Sequence, residues 1–356
     1  MILKKLFNLG FKIKHILKKS INIMLNELIK DEKKIDRNLY SFGSYWNYKS
    51  KKAIIEIKKK GLKNFRGISS GVGTSFADNL VVDIRNELNF KGRILAKILS
   101  LPKLNKIFDA QLKVTKNHLN NFLENQAIIY QNNKNIQNLI NKYKFENTTD
   151  FGCVEVFEYL NKKYSCTYLL MADRIDKLSK SFDFKATKSF FEIGGGFGAN
   201  IHFLVTNFPN IKKILYLDAV PNIFVGTSYL KHHFGEKVKD YIQLKDLNKI
   251  SFSKNDELEI LCIPPWLIEK VDIEVDHFHN AASFVEMPKM VIENYFKFVK
   301  KFKTKEISLI SYDGFDLKTT FNPKELNEIL DSKLKISWKN TLIEEYKTKL
   351  IYLTSQ

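Results

Sequence analysis

Cysteine is scarce in this sequence. Only Cys153, Cys166 and Cys262 occur, and no two of them stand three positions apart. Three scattered thiols are too few for a disulfide framework or a four-ligand zinc site. No stretch of about 18 uninterrupted apolar residues exists, and the N-terminus lacks the compact apolar core of a secretory signal. These absences exclude a transmembrane helix, and we expect a cytoplasmic protein.

Arginine is also rare, although the chain is strongly basic. The 58 Lys and Arg residues against 39 Asp and Glu give a formal charge of +19. Guanidinium is the group suited to bidentate contacts with phosphate and guanine, so its scarcity argues against a specific nucleic-acid partner. A drift of composition toward Lys, Asn and Ile explains the charge equally well. The arginines are Arg37, Arg66, Arg85, Arg93 and Arg174.

The chain has ample material for a folded core, with 44% hydrophobic and 13% aromatic residues. Its 356 residues exceed the size at which one core usually stops growing, which predicts two structural units. Residues 1–150 carry mostly helical patterns, and this region is expected to act as a lid or an oligomerisation element. Residues 151–356 are expected to form the second domain.

The first residues show a two-sided pattern. Ile2, Leu6 and Leu9 begin an apolar series at three- and four-residue spacing, while Lys4 and Lys5 fall on the other side. This predicts a basic amphipathic helix over residues 2–29. Such a helix can lie on an anionic membrane, at the inner face in this case, or dock its apolar side on the rest of the protein.

Strand patterns alternate with helix patterns from residue 189 onward. This alternation predicts an α/β fold of the Rossmann-like kind, a mostly parallel sheet with helices on both faces and an antiparallel strand pair at the C-terminus. A pair of short strands within residues 153–168 precedes it. The predicted strands are Ser189–Ile193, Ile214–Asp218, Tyr241–Leu244, Leu258–Ile263, Ile307–Ser311, Leu334–Trp338 and Lys349–Thr354, and the main helices Gly198–Phe208, Pro221–Phe234 and Ser283–Phe302.

The most informative stretch follows the first of these strands. It reads Glu192-x-Gly194-x-Gly196-x-Gly198, and a second strand ends in Asp218 about 20 residues later. The glycines permit a tight turn against a ligand, and an acid at the next strand end can accept both hydroxyls of a ribose. NAD and S-adenosylmethionine (SAM) both contain that ribose. Glu192 favours SAM, because its carboxylate suits the ammonium of the methionine end.

At this point the sequence resembles the bacterial putative sugar O-methyltransferases, which are class I SAM-dependent enzymes often associated with surface-polysaccharide synthesis. The resemblance covers roughly residues 150–356, and it is carried by the Glu192–Asn200 run, by Val154–Tyr159 with Lys163–Leu169, and by Asn280–Met287. It implies a seven-stranded, mostly parallel sheet with helices on both faces. It also implies methyl transfer from SAM to a sugar hydroxyl.

The resemblance further implies roles for single residues. Glu192, Gly194, Gly196 and Gly198 would surround the methionine end of SAM, and Asp218 would hold the ribose. Asp246, just past the predicted third strand, becomes an adenine neighbour. The segment between Leu244 and Leu258 departs from the superfamily pattern, since its Lys, Asn and Ser leave little room for a full helix.

The catalytic prediction rests on the segment Asp276–Glu286. O-methylation removes the proton of the accepting hydroxyl, and histidine is well poised for this at neutral pH. We expect His279, or else His277, to be the base at a loop that precedes a helix, with Asp276 or Asn280 orienting the ring. Solvent-exposed loop histidines and a divalent metal site with Asp272 and Glu274 are the alternatives. Glu286 is expected to close a capping box with Ser283.

Substrate contacts are expected from aromatic side chains, because sugar C–H faces stack on rings. Tyr164 and Tyr168 of the short strand pair suit a lid, with ordinary packing as the alternative. Trp266, in Cys262-Ile-Pro-Pro-Trp266, suits either sugar stacking or a hydrophobic cover, and Asn280 suits a hydroxyl contact. The competing functions are an RNA methyltransferase, suggested by the charge, and a nucleotide-binding accessory protein without catalysis.

Overall fold

The structure is a computed structural model, and it describes residues 23–41, 43–66, 134–153, 157–159, 161–312, 338–345 and 348–355. The chain divides into two compact units. One joins Met1–Lys51 to Leu178–Gln356, and the other is Lys52–Lys177. This division differs from the boundary predicted at residue 150, because the N-terminal helices belong with the C-terminal sheet.

Three helices form the described N-terminal part of the chain. Helix α1 covers residues 23–32, α2 spans Arg37–Tyr40 and α3 spans Gly43–Lys60. Helix α2 begins where the side chain of Asp36 accepts a hydrogen bond from the amide of Asn38, which satisfies an otherwise unpaired donor of the first turn.

The structure describes only the C-terminal end of the predicted amphipathic helix, and this end is α1. Its residues Met24, Leu25 and Leu28 are buried. Its polar side chains bind the sheet unit, since Asp31 accepts from the Tyr241 hydroxyl at 2.7 Å and Glu27 from Lys245 at 2.9 Å. The apolar side of α1 therefore docks on the protein over these residues, while residues 2–22 lie outside the described part of the chain.

The Lys52–Lys177 unit contains α4 (Lys134–Lys142) and a hairpin of β1 (Phe157–Tyr159) and β2 (Lys162–Tyr164). Helix α5 (Cys166–Leu178) follows the hairpin. The antiparallel pairing of β1 with β2 confirms the two short strands expected there. Residues 67–133 of the helical prediction lie outside the described residues.

Eight strands form the sheet of the other unit, in the order β5-β6-β4-β3-β7-β8-β10-β9. Strands β3 to β8 run parallel to one another, and β10 is antiparallel to both β8 and β9. All but the two-residue edge strand β5 make the seven-stranded, mostly parallel sheet expected. The strands are β3 (Ser189–Ile193), β4 (Lys213–Leu217), β5 (Val238–Lys239), β6 (Glu259–Ile263), β7 (His277–Ala281), β8 (Glu306–Tyr312), β9 (Trp338–Glu345) and β10 (Thr348–Ser355).

Helices cover both faces of this sheet. On one face, α6 (Ala199–Asn207) and α7 (Asn222–Phe234) pack on β3 and β4, so close that a Cβ on Gly226 would lie 2.2 Å from the Tyr216 hydroxyl. On the other face, Phe296 of α9 (Lys289–Lys301) packs edge-on against Phe278. Because both faces are covered, most side chains of the central strands are buried, including the polar Glu192, His277 and His279. The Rossmann-like class I methyltransferase fold predicted from the sequence is therefore confirmed.

Three segments differ from the prediction. Tyr241–Leu244 is a short helix, α8, and the strand before it is β5. The first strand of the C-terminal pair is β9, Trp338–Glu345, which shares only Trp338 with the predicted strand Leu334–Trp338. The predicted loop before the last large helix is instead β7, and that helix begins at Lys289. Local pattern did not reveal β7 because its buried polar residues resemble a loop in sequence.

Candidate functional site

The glycine turn lies where β3 ends, at the carboxyl edge of the sheet. The amide of Gly194 donates to the Leu217 carbonyl at 2.8 Å, and Gly194, Gly196 and Gly198 have φ values of +76°, +63° and +87°. Only glycine adopts such values without strain. A Cβ on Gly194 would also lie 2.2 Å from the Ser283 hydroxyl, so the turn presents bare backbone for steric reasons as well.

Glu192 lies directly beneath this turn, because a Cβ on Gly195 would come within 2.5 Å of its Oε2. The side chain is 2% exposed, and Oε1 accepts a hydrogen bond from Asn200 at 2.9 Å. Among the described residues, Oε2 has no hydrogen-bond partner. Burial raises the pKa of Glu192 to about 8, with a smaller contribution from the nearby Asp218 charge. A buried acid with an unpartnered oxygen is suited to a cationic donor.

Asp218 follows β4 and faces the same turn. Its Oδ2 accepts from the Gly196 amide at 2.8 Å, and its Oδ1 accepts from the Ala219 amide at 2.7 Å. Burial raises the pKa of Asp218 to about 7 despite these bonds, and the Glu286 carboxylate adds to the rise. The structure thus brings Glu192, the glycine turn and Asp218 together at adjacent strand ends, the usual ligand position in open α/β sheets.

Tyr216 supports the turn from below, and sequence reasoning missed it. Its hydroxyl donates to the Gly196 carbonyl at 2.5 Å from a fully buried position. Gly226 of α7 makes room for that hydroxyl. Alternation along β4 places Tyr216 two residues before Asp218 on the same side of the strand, and this was the available signal.

The turn after β7 leans on the glycine turn. Asn280 donates to the Ile193 carbonyl at 2.8 Å and to the Ser283 hydroxyl at 2.5 Å, and it accepts from the Phe284 amide at 3.2 Å. Ala282 has φ of +63°, a left-handed conformation that is strained for alanine. Asn280 therefore positions backbone with its whole amide and leaves little for a substrate.

Glu286 ends the short 3₁₀ turn Phe284–Glu286 that follows. It does not close a capping box, because Ser283 makes no side-chain cap bond and its hydroxyl points to the Ile193 carbonyl instead. The carboxylate accepts a hydrogen bond from the Trp46 indole at 2.5 Å. Burial raises the pKa of Glu286 to about 7, while that bond and the Lys49 charge oppose the rise.

His277 and His279 lie inside β7 rather than in a loop. His277 is fully buried, stacks parallel to Phe190 and shares the Ser308 hydroxyl with His279, at 2.7 Å and 2.8 Å. Burial lowers the pKa of His277. The expectation that a loop before a helix presents His279 or His277 as the base is therefore wrong, and so is the alternative that the two rings are solvent-exposed loop residues.

Asp276 lies at the amino end of β7, at the opposite edge of the sheet from the glycine turn. It accepts from the amides of Lys188 and Ser189 at 2.9 Å and 3.0 Å and pairs with Lys305. These bonds outweigh its partial burial and lower its pKa. Asp276 thus joins strand ends and cannot orient a base at the carboxyl edge.

Two further predictions depended on strand positions that changed. Asp246 is exposed and follows α8, so it does not come just past a strand of the central sheet. Trp266 lies half-buried in the 3₁₀ turn Pro265–Lys270 after β6, with its ring edge-on to Tyr241 at 6.1 Å. Because β6 lies beyond β4, Trp266 is on the Asp218 side of the site and not on the β7 side.

The predicted lid tyrosines are buried in the Lys52–Lys177 unit. Tyr164 is 4% exposed and packs edge-on against Phe145 at 5.6 Å. Tyr168 is fully buried beneath the guanidinium of Arg66. Both rings are used for packing, and neither offers a face to a sugar.

The described residues also bear on the metal and membrane alternatives. Over the ranges that the structure describes, no three His, Cys, Asp or Glu side chains group as ligands for a metal ion. In those ranges no helix is both long and apolar enough to span a bilayer.

Comparisons with known proteins give structural similarities only. No protein-family model matches the chain, and no curated protein matches it. A SAM-dependent methyltransferase from Aquifex aeolicus aligns at 17% identity over 51% of this chain and 87% of its own, with a TM-score of 0.35. The magnesium protoporphyrin IX methyltransferase of Synechocystis, with bound SAM, aligns at 7% identity over 53% and 80%, with a TM-score of 0.36. The N-terminal domain of EvdMO1, with bound S-adenosylhomocysteine (SAH), aligns at 12% identity over 57% and 90%, with a TM-score of 0.37. Our assignment of the fold rests on strand order, and these alignments assign no substrate.

Proposed function

We propose that the protein is a SAM-dependent O-methyltransferase that acts on a sugar hydroxyl. The observation that carries the proposal is the unpartnered Oε2 of Glu192 beneath the glycine turn. A buried carboxylate oxygen with no donor is costly, and the ammonium of the methionine end supplies a charge-assisted donor of the right sign.

The residues present fit SAM better than NAD. A dinucleotide places a pyrophosphate at the start of the helix after the glycine turn. Here that helix is α6, and the acid beneath its entry, Glu192, repels a diphosphate when it is ionised, whereas the ammonium of SAM favours the ionised form. Asp218 suits the ribose of either ligand, since its carboxylate can accept more hydrogen bonds than those from two backbone amides and the Asn222 side chain.

Each side of the site then has a distinct task. When bound, SAM supplies a methyl group activated by the sulfonium. Glu192 and the glycine turn would hold the methionine end, Asp218 the ribose, and the turn after β6 with Trp266 the adenine side. The turn after β7 would face the acceptor, because β7 is the neighbour of β3 opposite to β4.

Charge favours a neutral acceptor over RNA. Three buried or half-buried acids, Glu192, Asp218 and Glu286, lie around the carboxyl edge. A polyphosphate backbone requires cations at its binding site, whereas a polyol is recognised by carboxylates and aromatic rings. Trp46 and Glu286 provide that pair next to the turn after β7. The resemblance to sugar O-methyltransferases agrees with this acceptor class.

Binding and transfer test the proposal in two steps. Calorimetry should show binding of SAM and SAH but not NAD, and Asp218→Ala should abolish or greatly weaken it. Tritiated SAM should then label methyl glycosides of glucose, galactose, mannose or rhamnose, or their nucleoside diphosphate forms. Tight NAD binding would overturn the cofactor, and label in RNA with none in sugars would overturn the acceptor.

A further inference from the structure

Glu286 has a fixed position close to the cofactor turn. Its amide donates to the Ser283 carbonyl at 3.1 Å, and the Ser283 hydroxyl occupies the space that a Gly194 side chain would need. Its carboxylate also acts electrostatically on Asp218. The side chain is therefore one tight turn from the glycine loop, on the side of β3 that Asp218 does not occupy.

The Glu286 carboxylate is held at one oxygen only. The Trp46 indole donates to Oε2, and Oε1 accepts no hydrogen bond from any residue that the structure describes. No cation of the described chain pairs with it within 4.0 Å, although Lys49 acts on it at longer range. A salt bridge would have quenched its basicity, and here one oxygen keeps its lone pairs.

Helix α3 begins against this residue. A Cβ on Gly43 would lie 2.6 Å from the Glu286 carbonyl oxygen, so the chain approaches closely only because position 43 is glycine. From there Trp46 lies less than one turn along α3 and reaches the carboxylate.

We propose that Glu286 is the general base of methyl transfer and that Trp46 positions its carboxylate. The inference rests on the proposed function. The acceptor hydroxyl oxygen bonds to the methyl carbon, and the carbon–sulfur bond breaks with its electron pair left on sulfur. The hydroxyl proton passes to Oε1 of Glu286, which becomes a neutral carboxylic acid. SAH and the methyl ether are the products.

Among the other acids and bases at this edge, Glu192 is assigned to the ammonium of SAM, and the rest are engaged within the protein. Both oxygens of Asp218 accept backbone amides, and the amide side chain of Asn280 has no basic atom. His277 and His279 bond to Ser308 within the sheet. The charged groups that act on Glu286 are Lys49 and Asp218, and they have opposite signs.

An acceptor-free measurement tests the pairing. The Trp46 indole donates to a carboxylate, so its fluorescence should change as Glu286 titrates near pH 7. The inflection should disappear in Glu286→Gln and in Trp46→Phe and persist in Trp266→Phe. A wild-type emission that stays constant from pH 5 to 9, or an inflection that survives in Glu286→Gln, would overturn the pairing.

Single-turnover transfer from SAM to the glycoside labelled by the wild type tests the base. Glu286→Gln should lower the rate by about 100-fold or more with SAM affinity nearly unchanged, and Glu286→Asp should retain part of it. The matched control is Glu274→Gln, which removes an exposed carboxylate that pairs with Lys303 away from the site. Its rate should remain close to that of the wild type.

The pH profile separates the base from its positioning residue. The wild-type rate should rise through pH 7 and level off, and Trp46→Phe should move that inflection to higher pH, because the indole stabilises the charged carboxylate. Wild-type turnover in Glu286→Gln would overturn the base. Loss of SAM binding or of sugar labelling in the wild type itself would instead refute the proposed function.

Discussion

The amide of Gly196 donates to the Oδ2 of Asp218 at 2.8 Å, and this bond joins the cofactor turn to the ribose acid across two neighbouring strands. Because Tyr216 bonds to the carbonyl of the same glycine, both polar groups of Gly196 are fixed before any ligand arrives. A turn whose backbone is already held loses little conformational freedom on binding, which favours affinity.

SAM binding should release a proton. Glu192 has a pKa of about 8, so much of it is protonated at pH 7, and an ammonium binds only the charged form. The affinity should therefore rise with pH, by up to about tenfold per unit below 8. Calorimetry at pH 7 in buffers of different ionisation enthalpy measures the proton. Glu192→Gln should bind SAM weakly, and its affinity should no longer depend on pH through this residue. An affinity that rises with pH as steeply as in the wild type would contradict the assignment.

Glu192→Gln should also stabilise the protein at alkaline pH. The pKa of Glu192 is raised in the folded state, from 4.5 to about 8, so the folded form binds the proton more tightly than the unfolded form. The resulting stability is full below pH 4.5 and is lost as pH rises through 8. Removing the acid should raise the free energy of unfolding at pH 9 more than at pH 5, by an amount on the order of a few kcal/mol, and Tm should rise with it. Glu274 is exposed and provides the control, because Glu274→Gln should leave Tm unchanged at both pH values.

Tyr216→Phe should weaken SAM binding by about 3- to 10-fold, because the Gly196 carbonyl loses its donor and the turn gains freedom. Tyr143→Phe is the matched control, since its hydroxyl donates to Asp176 within the Lys52–Lys177 unit instead. Calorimetry of both variants decides the point. Equal losses of affinity would mean that the effect comes from general destabilisation.

Ala282→Gly should leave stability within about 0.5 kcal/mol of the wild type, because relief of the left-handed strain offsets the greater freedom of glycine in the unfolded chain. Ala282→Val should be strongly destabilised, since a β-branched residue disfavours this φ. Ala281→Val at the end of β7 is the control and should be tolerated. Denaturant unfolding measures all three, and a stable Ala282→Val would refute the strain.

Ser308→Ala should destabilise the fold by roughly 2–4 kcal/mol, because two buried ring nitrogens, Nε2 of His277 and Nδ1 of His279, lose the same partner. SAM affinity should change little. Ser228→Ala, which removes a bond to a carbonyl within its own helix, should cost less than 1 kcal/mol. If Ser308→Ala instead lost most of its SAM affinity at normal stability, the two histidines would be shown to contribute to the cofactor site.

The features that the sequence could predict are formed by residues that lie close together along the chain. The glycine turn, Glu192 and the β3 strand lie within a few residues, and the spacing to Asp218 reflects one helix and one strand. The element types from β3 to α7 followed from periodicity, and so did the last strand, β10, whereas β9 begins where the predicted strand ends. These features need only local spacing and hydrophobic pattern.

The acceptor side could not be predicted in this way. Strand β7 carries two histidines and an asparagine that are satisfied by β8, β3 and the following turn, so their polarity suggested a loop. The position of β6 depended on sheet order, which strand patterns do not specify. Trp46 meets Glu286 across 240 residues of sequence, and only the tertiary structure shows such a pair.

The route of the chain through its two units has a consequence for synthesis. Trp46 belongs to the segment that precedes the Lys52–Lys177 unit, while Glu286 comes more than 100 residues after that unit ends. During translation, the residue that positions the base is made early and waits while an entire unit is added. A chain that ends before residue 286 contains the sequence of the cofactor turn but lacks the base, so methyl transfer requires synthesis to proceed past Glu286.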